Sequence, residues 1–240
     1  MNFAVRITNN AADSLLDFIY PPMCVSCNRY IRDGHDKVCP DCWNSIQPLT
    51  RNHPLFLDTK EKLLSAGSLS DLVSKFVFQK EGAFQHIAHS LKYRGYESLG
   101  IELGKRLGGL MDEWRIGVDV IVPIPLHKVR LRERGFNQAE MIARGISSVT
   151  QIPVSVNLVC RLRHTQTQTK LNLEERRQNM EEAFGIASQA SAMIEGKTCL
   201  IVDDVITTGA TIASCAEILL KNGAAKVIAA SAALAQKDAA

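Results

Sequence analysis

Strands alternating with amphipathic helices along most of the chain predict an α/β fold whose mostly parallel sheet is covered on both faces. Four cysteines near the N-terminus, Cys24, Cys27, Cys39 and Cys42, fall in a C-x2-C-x11-C-x2-C pattern within nineteen residues and predict a small metal-bearing module ahead of that domain. The third observation is an apolar run, Thr198–Val202, followed by two adjacent acids, a threonine- and glycine-rich loop, and apolar residues at helical spacing from Ile212 to Leu220. A chain of 240 residues has room for one ordinary α/β domain and an appendage, divided as 1–60 and 61–240.

In chain order, residues 11–19 form a short amphipathic helix ended by Pro21 and Pro22, and the cysteine knuckles occupy about 23–47. Residues 48–64, with Pro48 and Pro54 among mixed polar residues, read as a linker. Leu72–Phe78 alternates like a strand, 83–92 turns helical, and 99–114 is a second helix. Residues 119–125 are a short strand running into a proline-stiffened loop, 137–149 a helix, and 154–161 a strand. A polar stretch, 162–180, lacks a core face. Phe184–Ala187, the strand at 198–202, the helix at 212–221 stopped by Gly223, and a strand at 226–231 complete the pattern.

Two C-x2-C knuckles bring four thiolates to a tetrahedron around Zn2+ with bonds of about 2.3 Å. A redox C-x-x-C pair would not need a second copy eleven residues on. Four cysteines close the coordination shell, so the metal is structural and supplies much of the module's stability. His35 lies between the knuckles and reads as solvated. The remaining three of the seven cysteines, Cys160, Cys199 and Cys215, stand in apolar sequence and read as core. Hydrophobic content of 46% and charged content of 22% fit a soluble globular chain, and the net charge of +3 does not by itself argue for a polyanion partner. No apolar run approaches the roughly 20 residues of a membrane span. The N-terminus lacks the pattern of a secretory signal, so a cytoplasmic location and no membrane insertion are expected.

The functional reading starts at the end of the 198–202 strand. A loop of Thr207, Thr208, Gly209, Ala210 and Thr211 entering a helix N-terminus aims backbone N–H groups and the helix dipole at one point, a seat for a phosphate monoester. Asp203 and Asp204 are the wrong charge for phosphate but suit vicinal hydroxyls and a metal-bound sugar. After the 119–123 strand, Lys128, Arg130, Arg132 and Arg134 face a single Glu133, and Asn137 closes the stretch. Cations at the carboxyl edge of a parallel sheet would offset a pyrophosphate. A solvated basic face is the alternative for the charges alone. Arg161, Arg163, Lys170, Arg176 and Arg177 form a further basic segment. Lys92 and Arg94 lie beside Tyr93 and Tyr96, an arrangement that suits single-stranded nucleic acid or simply a helix C-terminus.

The ordered combination Asp-Asp-x-x-Thr-Thr-Gly-x-Thr resembles the ribose-phosphate signature of type I phosphoribosyltransferases. The cysteine head, Leu91–Gly95, Val-Pro-Ile-Pro-Leu at 122–126, Arg-Gly-Phe-Asn-Gln at 134–138 and the 163–179 segment make the chain similar to the ComF family over nearly its whole length. That resemblance implies a type I phosphoribosyltransferase fold with an N-terminal zinc ribbon, linked to DNA uptake in natural transformation. It implies that phosphoribosyl pyrophosphate binds with Mg2+: Asp203 and Asp204 hold the ribose hydroxyls in the catalytic role, Thr207–Thr211 cradle the 5-phosphate, and Lys128, Arg130, Arg132, Arg134, Asn137 and Lys92 serve the substrate. The 161–180 segment matches the mobile loop that closes over pyrophosphate. Oxopurine-salvage enzymes carry an aspartate at the position of Thr207, so an oxopurine acceptor is disfavoured. Single-stranded DNA and a DNA-uptake helicase are the partners the resemblance implies. A salvage enzyme with a non-oxopurine acceptor is the alternative.

Overall fold

The computed structural model describes residues 21–31, 37–161, 184–186 and 191–236. The helix expected at 11–19, His35, and the segment bearing Arg163, Lys170, Arg176 and Arg177 lie outside the described residues.

Strands β1 (Asp71–Phe78), β2 (Val120–Pro123), β5 (Thr198–Ile206) and β6 (Lys226–Ala235) form one sheet in the order β1-β6-β5-β2, every pair parallel. Parallel neighbours need crossovers. These run through α3 (Ala83–Tyr93), α4 (Glu97–Glu113) and α6 (Gln138–Thr150) on one side and α8 (Ala210–Lys221) on the other. Side chains alternate along β5: Leu200 and Val202 join the apolar cluster under α4 and α6, while Cys199 and Ile201 join the cluster under α8. With both faces covered, β1 reads as a nearly continuous buried run rather than a half-exposed alternation.

α4 and α6 approach so closely that only glycine fits between them. A Cβ on Gly104 would lie 2.1 Å from the Ile142 carbonyl oxygen, and one on Gly145 would lie 2.2 Å from that of Ile101.

Four readings of local structure change. Residues 48–64 are not a linker throughout: α2 spans Pro54–Ser65. Pro54 starts that helix because a first-turn proline loses no hydrogen bond, and His53 Nδ1 accepts from the Leu55 N–H at 3.2 Å. Phe56 and Leu63 are the buried anchors of α2. Second, the basic stretch is a helix, α5 (Lys128–Arg134), capped by the His127 ring and stopped by Gly135 at φ 82°. Third, the strand read at 154–161 splits. Val154 makes one bridge beside Ile121, and after a turn β3 (Val159–Arg161) pairs antiparallel with β4 (Phe184–Ile186) in a separate ribbon. Fourth, Cys160 on that ribbon is exposed rather than core, whereas Cys199 and Cys215 are buried as expected. A four-residue helix, α7 (Ser191–Ile194), precedes β5.

The Sγ atoms of Cys24, Cys27, Cys39 and Cys42 lie within 4.8 Å of one another. Tetrahedral Zn2+ with about 2.3 Å bonds sets its sulfurs about 3.8 Å apart, and Cys27 and Cys39 stand 3.7 Å apart. The donor set therefore fits a structural zinc ion. α1 (Pro40–Ser45) carries Cys42 and Trp43 against the α/β body. Trp43 stacks on Phe76 of β1 at 6.1 Å, and the Arg106 guanidinium of α4 covers its ring at 4.0 Å. The His86 ring bonds the Ser26 carbonyl at 3.1 Å. The head's apolar residues are thus continuous with the core of the body. Replacing Cys24 with serine is expected to release zinc and lower the melting midpoint of the whole chain, on the order of 5 °C. Parallel metal analysis and calorimetry check this, and an unchanged body transition after zinc loss would contradict it.

Candidate active site

The carboxyl end of β5 carries the acids inside the strand, not after it. Asp203 still pairs with Ser231 of β6, and the ladder continues to Ile206. Consecutive strand residues point to opposite faces. Asp204 goes toward α3, where Lys92 Nζ meets its Oδ2 at 2.5 Å. Asp203 goes toward α8, with Cys215 and Arg161 in its surroundings. Both carboxyls line one cleft of ≈240 Å³ at the sheet edge.

The facing wall comes from the β2 edge. Ile124, Pro125, Leu126 and His127 leave β2, and Arg130, Arg134, Asn137 and Gln138 follow on α5 and α6. Asn137 ties the two parts together, as its Nδ2 donates to the Ile124 carbonyl at 2.9 Å and its Oδ1 accepts from the Ala139 N–H at 3.2 Å. Its side chain holds the wall in shape. Arg134 donates to Gln138 Oε1 at 2.7 Å and lies over the Tyr93 ring at 5.6 Å. Lys128 and Arg132 are exposed and stand outside this lining, because a short helix sends successive side chains around its axis. Of the four cations on this stretch, the cleft gathers Arg130 and Arg134.

The threonine loop divides. Thr211 lines the cleft with the acids, whereas Thr207 and Thr208 line a second, larger cleft of ≈620 Å³ against α2. Gly209, at φ 78°, sits between them, and a Cβ there would lie 2.3 Å from Leu63 of α2. The left-handed backbone demands glycine, and a Cβ would also have to push the end of the Leu63 side chain aside. The Ala210 N–H reaches Thr208 Oγ1 at 3.4 Å. Among the described residues, no backbone acceptor takes the N–H of Thr208, Gly209 or Thr211. Three donors at the N-terminus of twelve-residue α8, with its dipole behind them, make an anion seat.

Electrostatics at the strand end are tense. Burial, and then the neighbouring Asp204 charge, push Asp203 up to about 8, against the opposing pull of the Asp204 N–H at 2.8 Å and of Lys92. With Lys92 already on Asp204, the acids suit hydroxyl groups of a ligand better than a bare divalent ion. His127 and Gln138 line the cleft without a role assigned from sequence, and Arg161, the first residue of the basic segment expected over pyrophosphate, lines it too. His127 directly precedes the basic run, the one readable sign. Arg161 ends β3 with its guanidinium 5.3 Å from the Phe184 ring, a placement set by the β3–β4 pairing.

The phosphoribosyl transferase domain family matches residues 117–239, and the double zinc ribbon domain family matches residues 15–54. Competence protein F of Haemophilus influenzae is 29% identical over 212 residues, covering 85% of this chain and 87% of that protein. DNA utilization protein YhgH of Salmonella typhi is 30% identical over 210 residues, covering 85% of this chain and 87% of that protein. Competence protein ComFC of Bacillus subtilis is 38% identical over 106 residues, 44% of this chain and 40% of that protein. The two domain matches fall on the two parts of the molecule already described, the cysteine head and the parallel sheet with its acid pair and threonine loop. The chain belongs to the ComF family, with a phosphoribosyl transferase domain behind an N-terminal zinc ribbon.

Proposed function

We propose that this chain binds phosphoribosyl pyrophosphate with Mg2+, transfers its phosphoribosyl group, and acts in the handling of incoming DNA. The observation that carries the reading is the meeting of Asp203, Asp204 and Thr211 in one cleft with Arg130 and Arg134. The 5-phosphate sits on the N–H groups of Thr208, Gly209 and Thr211. Asp203 and Asp204 accept hydrogen bonds from the ribose hydroxyls. As the bond from C1 to pyrophosphate lengthens, positive charge grows on the ring, and the Asp204 carboxylate stabilises it from close range, joined by Asp203 as pH rises through about 8. Arg130 and Arg134 receive the departing negative charge, and Asn137 holds their wall in register. Mg2+ would arrive with the substrate rather than on the protein's own acids and would offset pyrophosphate charge. Thr207 offers no carboxylate to an acceptor ring, which turns the reading away from oxopurines.

Competence and DNA-utilization relatives support the role in DNA handling. So does the mouth of the cleft: Tyr93 is 66% exposed with Arg134 beside its ring, and Lys128 and Arg132 project outside the substrate pocket. An exposed ring flanked by cations stacks a base while pairing its phosphates.

Titration calorimetry with phosphoribosyl pyrophosphate and Mg2+ is expected to give saturable heat. The double variant Asp203→Asn/Asp204→Asn should weaken binding roughly 10- to 100-fold through lost charged hydrogen bonds. Equal affinity in both proteins would contradict the site. The acid pair also has a signature in stability. Asp203 is raised from 3.8 to about 8, so its contribution to stability is complete below the unfolded value and is lost as pH rises through the folded one. The melting midpoint of the wild type should therefore fall more steeply than that of Asp203→Asn between about pH 4 and pH 8, and parallel slopes would refute this. For DNA, anisotropy with a short oligothymidylate should show affinity falling steeply with salt, and Tyr93→Ala should weaken it by about 1–3 kcal/mol. Unchanged binding by Tyr93→Ala would remove the ring from the interface.

A further inference from the structure

We propose that Gln138 is a positioning residue for the transfer: its buried amide aims the Arg134 guanidinium at the departing pyrophosphate and leaves the cation's charge available to it. The inference rests on the transfer reading above. A cation in a binding cleft must meet two requirements that oppose each other. It must be held still, or ordering its long side chain weakens the complex. It must also stay unpaired with acid, or the arriving anion meets little net charge. Elsewhere in this chain acids hold the cations. Arg106 meets Glu102 at 3.0 Å and Arg144 meets Glu140 at 2.7 Å, each pair four residues apart. Within the cleft, Lys92 meets Asp204. Arg134 also has its partner four residues away, across the turn from α5 into α6, but that partner is neutral: Nη1 donates to Gln138 Oε1 at 2.7 Å. Among the described residues, no carboxylate forms an ion pair with Arg134.

The amide is built into the wall. Gln138 is only 2% exposed, and both ends of its amide are engaged, as burial of a polar group requires. A guanidinium only donates, so the amide must turn its oxygen to Arg134. Its Nε2 then faces the Phe136 carbonyl, to which it donates at 3.4 Å. Phe136 is buried in the apolar cluster under α4 and α6, so the carbonyl that orients the amide is itself fixed. The Arg134 guanidinium also lies over the Tyr93 ring, 5.6 Å from its centroid. One contact at the edge of a planar group and one on its face fix its orientation. The rest of the fork is left for an anion in the cleft that Arg130, Arg134 and Gln138 line together. A glutamate at 138 would hold Arg134 in the same place yet cancel its charge. An apolar residue of similar length would keep the charge and lose the hold.

Calorimetry on the full-length, zinc-loaded protein tests this with two probes: phosphoribosyl pyrophosphate with Mg2+, and ribose 5-phosphate, which lacks the pyrophosphate. Gln138→Glu should weaken phosphoribosyl pyrophosphate roughly tenfold or more, and Gln138→Met about two- to tenfold, both with ribose 5-phosphate affinity unchanged. In an Arg134→Ala background, Gln138→Met should bring no further loss, because the amide acts only through the arginine. This cycle decides the question even if Gln138→Glu does not fold. An equal loss from Gln138→Met in both backgrounds, or a parallel loss of ribose 5-phosphate, would mark a merely structural residue and overturn the proposal. Unchanged phosphoribosyl pyrophosphate affinity in both glutamine variants would overturn it as well. A wild type that fails to bind phosphoribosyl pyrophosphate would instead overturn the transfer reading, and the positioning role with it, an outcome separate from the others because it is read before any substitution.

Discussion

Two carboxylates on consecutive residues at the end of a buried strand set the terms for the rest of this molecule. Strand alternation sends Asp203 and Asp204 to opposite faces of the sheet, yet they remain close enough that one raises the proton affinity of the other. Lys92, delivered from the last turn of α3, sits on Asp204. That cation reaches the sheet edge because α3 and α4 pack over the strands through Leu91, Leu99 and Leu103, all buried in the same apolar cluster. The fold thus supports a charge arrangement that costs it stability, as binding sites commonly do. A polar sugar with adjacent hydroxyls would offer the acids hydrogen-bond partners.

β5 lies between β6 and β2, so its end is shared by two clefts. The basic wall arises from the β2 side, and the larger cleft from the β1 and β6 side together with α2. A nine-residue strand and a three-residue turn therefore border both clefts. Gly209 marks the partition: its left-handed backbone turns the chain, and its missing Cβ lets Leu63 close over the loop.

Legibility in the sequence followed the range of the interactions. The strand, acids, threonine loop and α8 lie within about two dozen consecutive residues, and the change from period 2 to period 3.6 marks them without knowledge of distant partners. The four cysteines were equally local. By contrast, α5 lacks a single buried residue, so no apolar face announced a helix; the capping ring of His127 and the stop at Gly135 were the readable signs. Pro54 stands in sequence that resembles a linker, whereas position decides: at the first turn it starts a helix. The seating of the zinc head was beyond local reading. Trp43, Phe76 and Arg106 meet only through tertiary packing. For the same reason Cys160 read as core while the ribbon turned it outward. The division of Thr207 and Thr208 from Thr211 depended on α2, an element the sequence reading had not placed.

The central claim is that the N–H groups ahead of α8 receive a phosphate monoester. Amide-resolved NMR of the full-length protein, titrated with ribose 5-phosphate alone, tests it without Mg2+, pyrophosphate or an acceptor. Saturable shifts centred on the amides of Thr208, Gly209 and Thr211, with smaller ones at Asp203 and Asp204, are the expected result. Shifts confined to the exposed cations of α5, or none at saturating ligand, would contradict it.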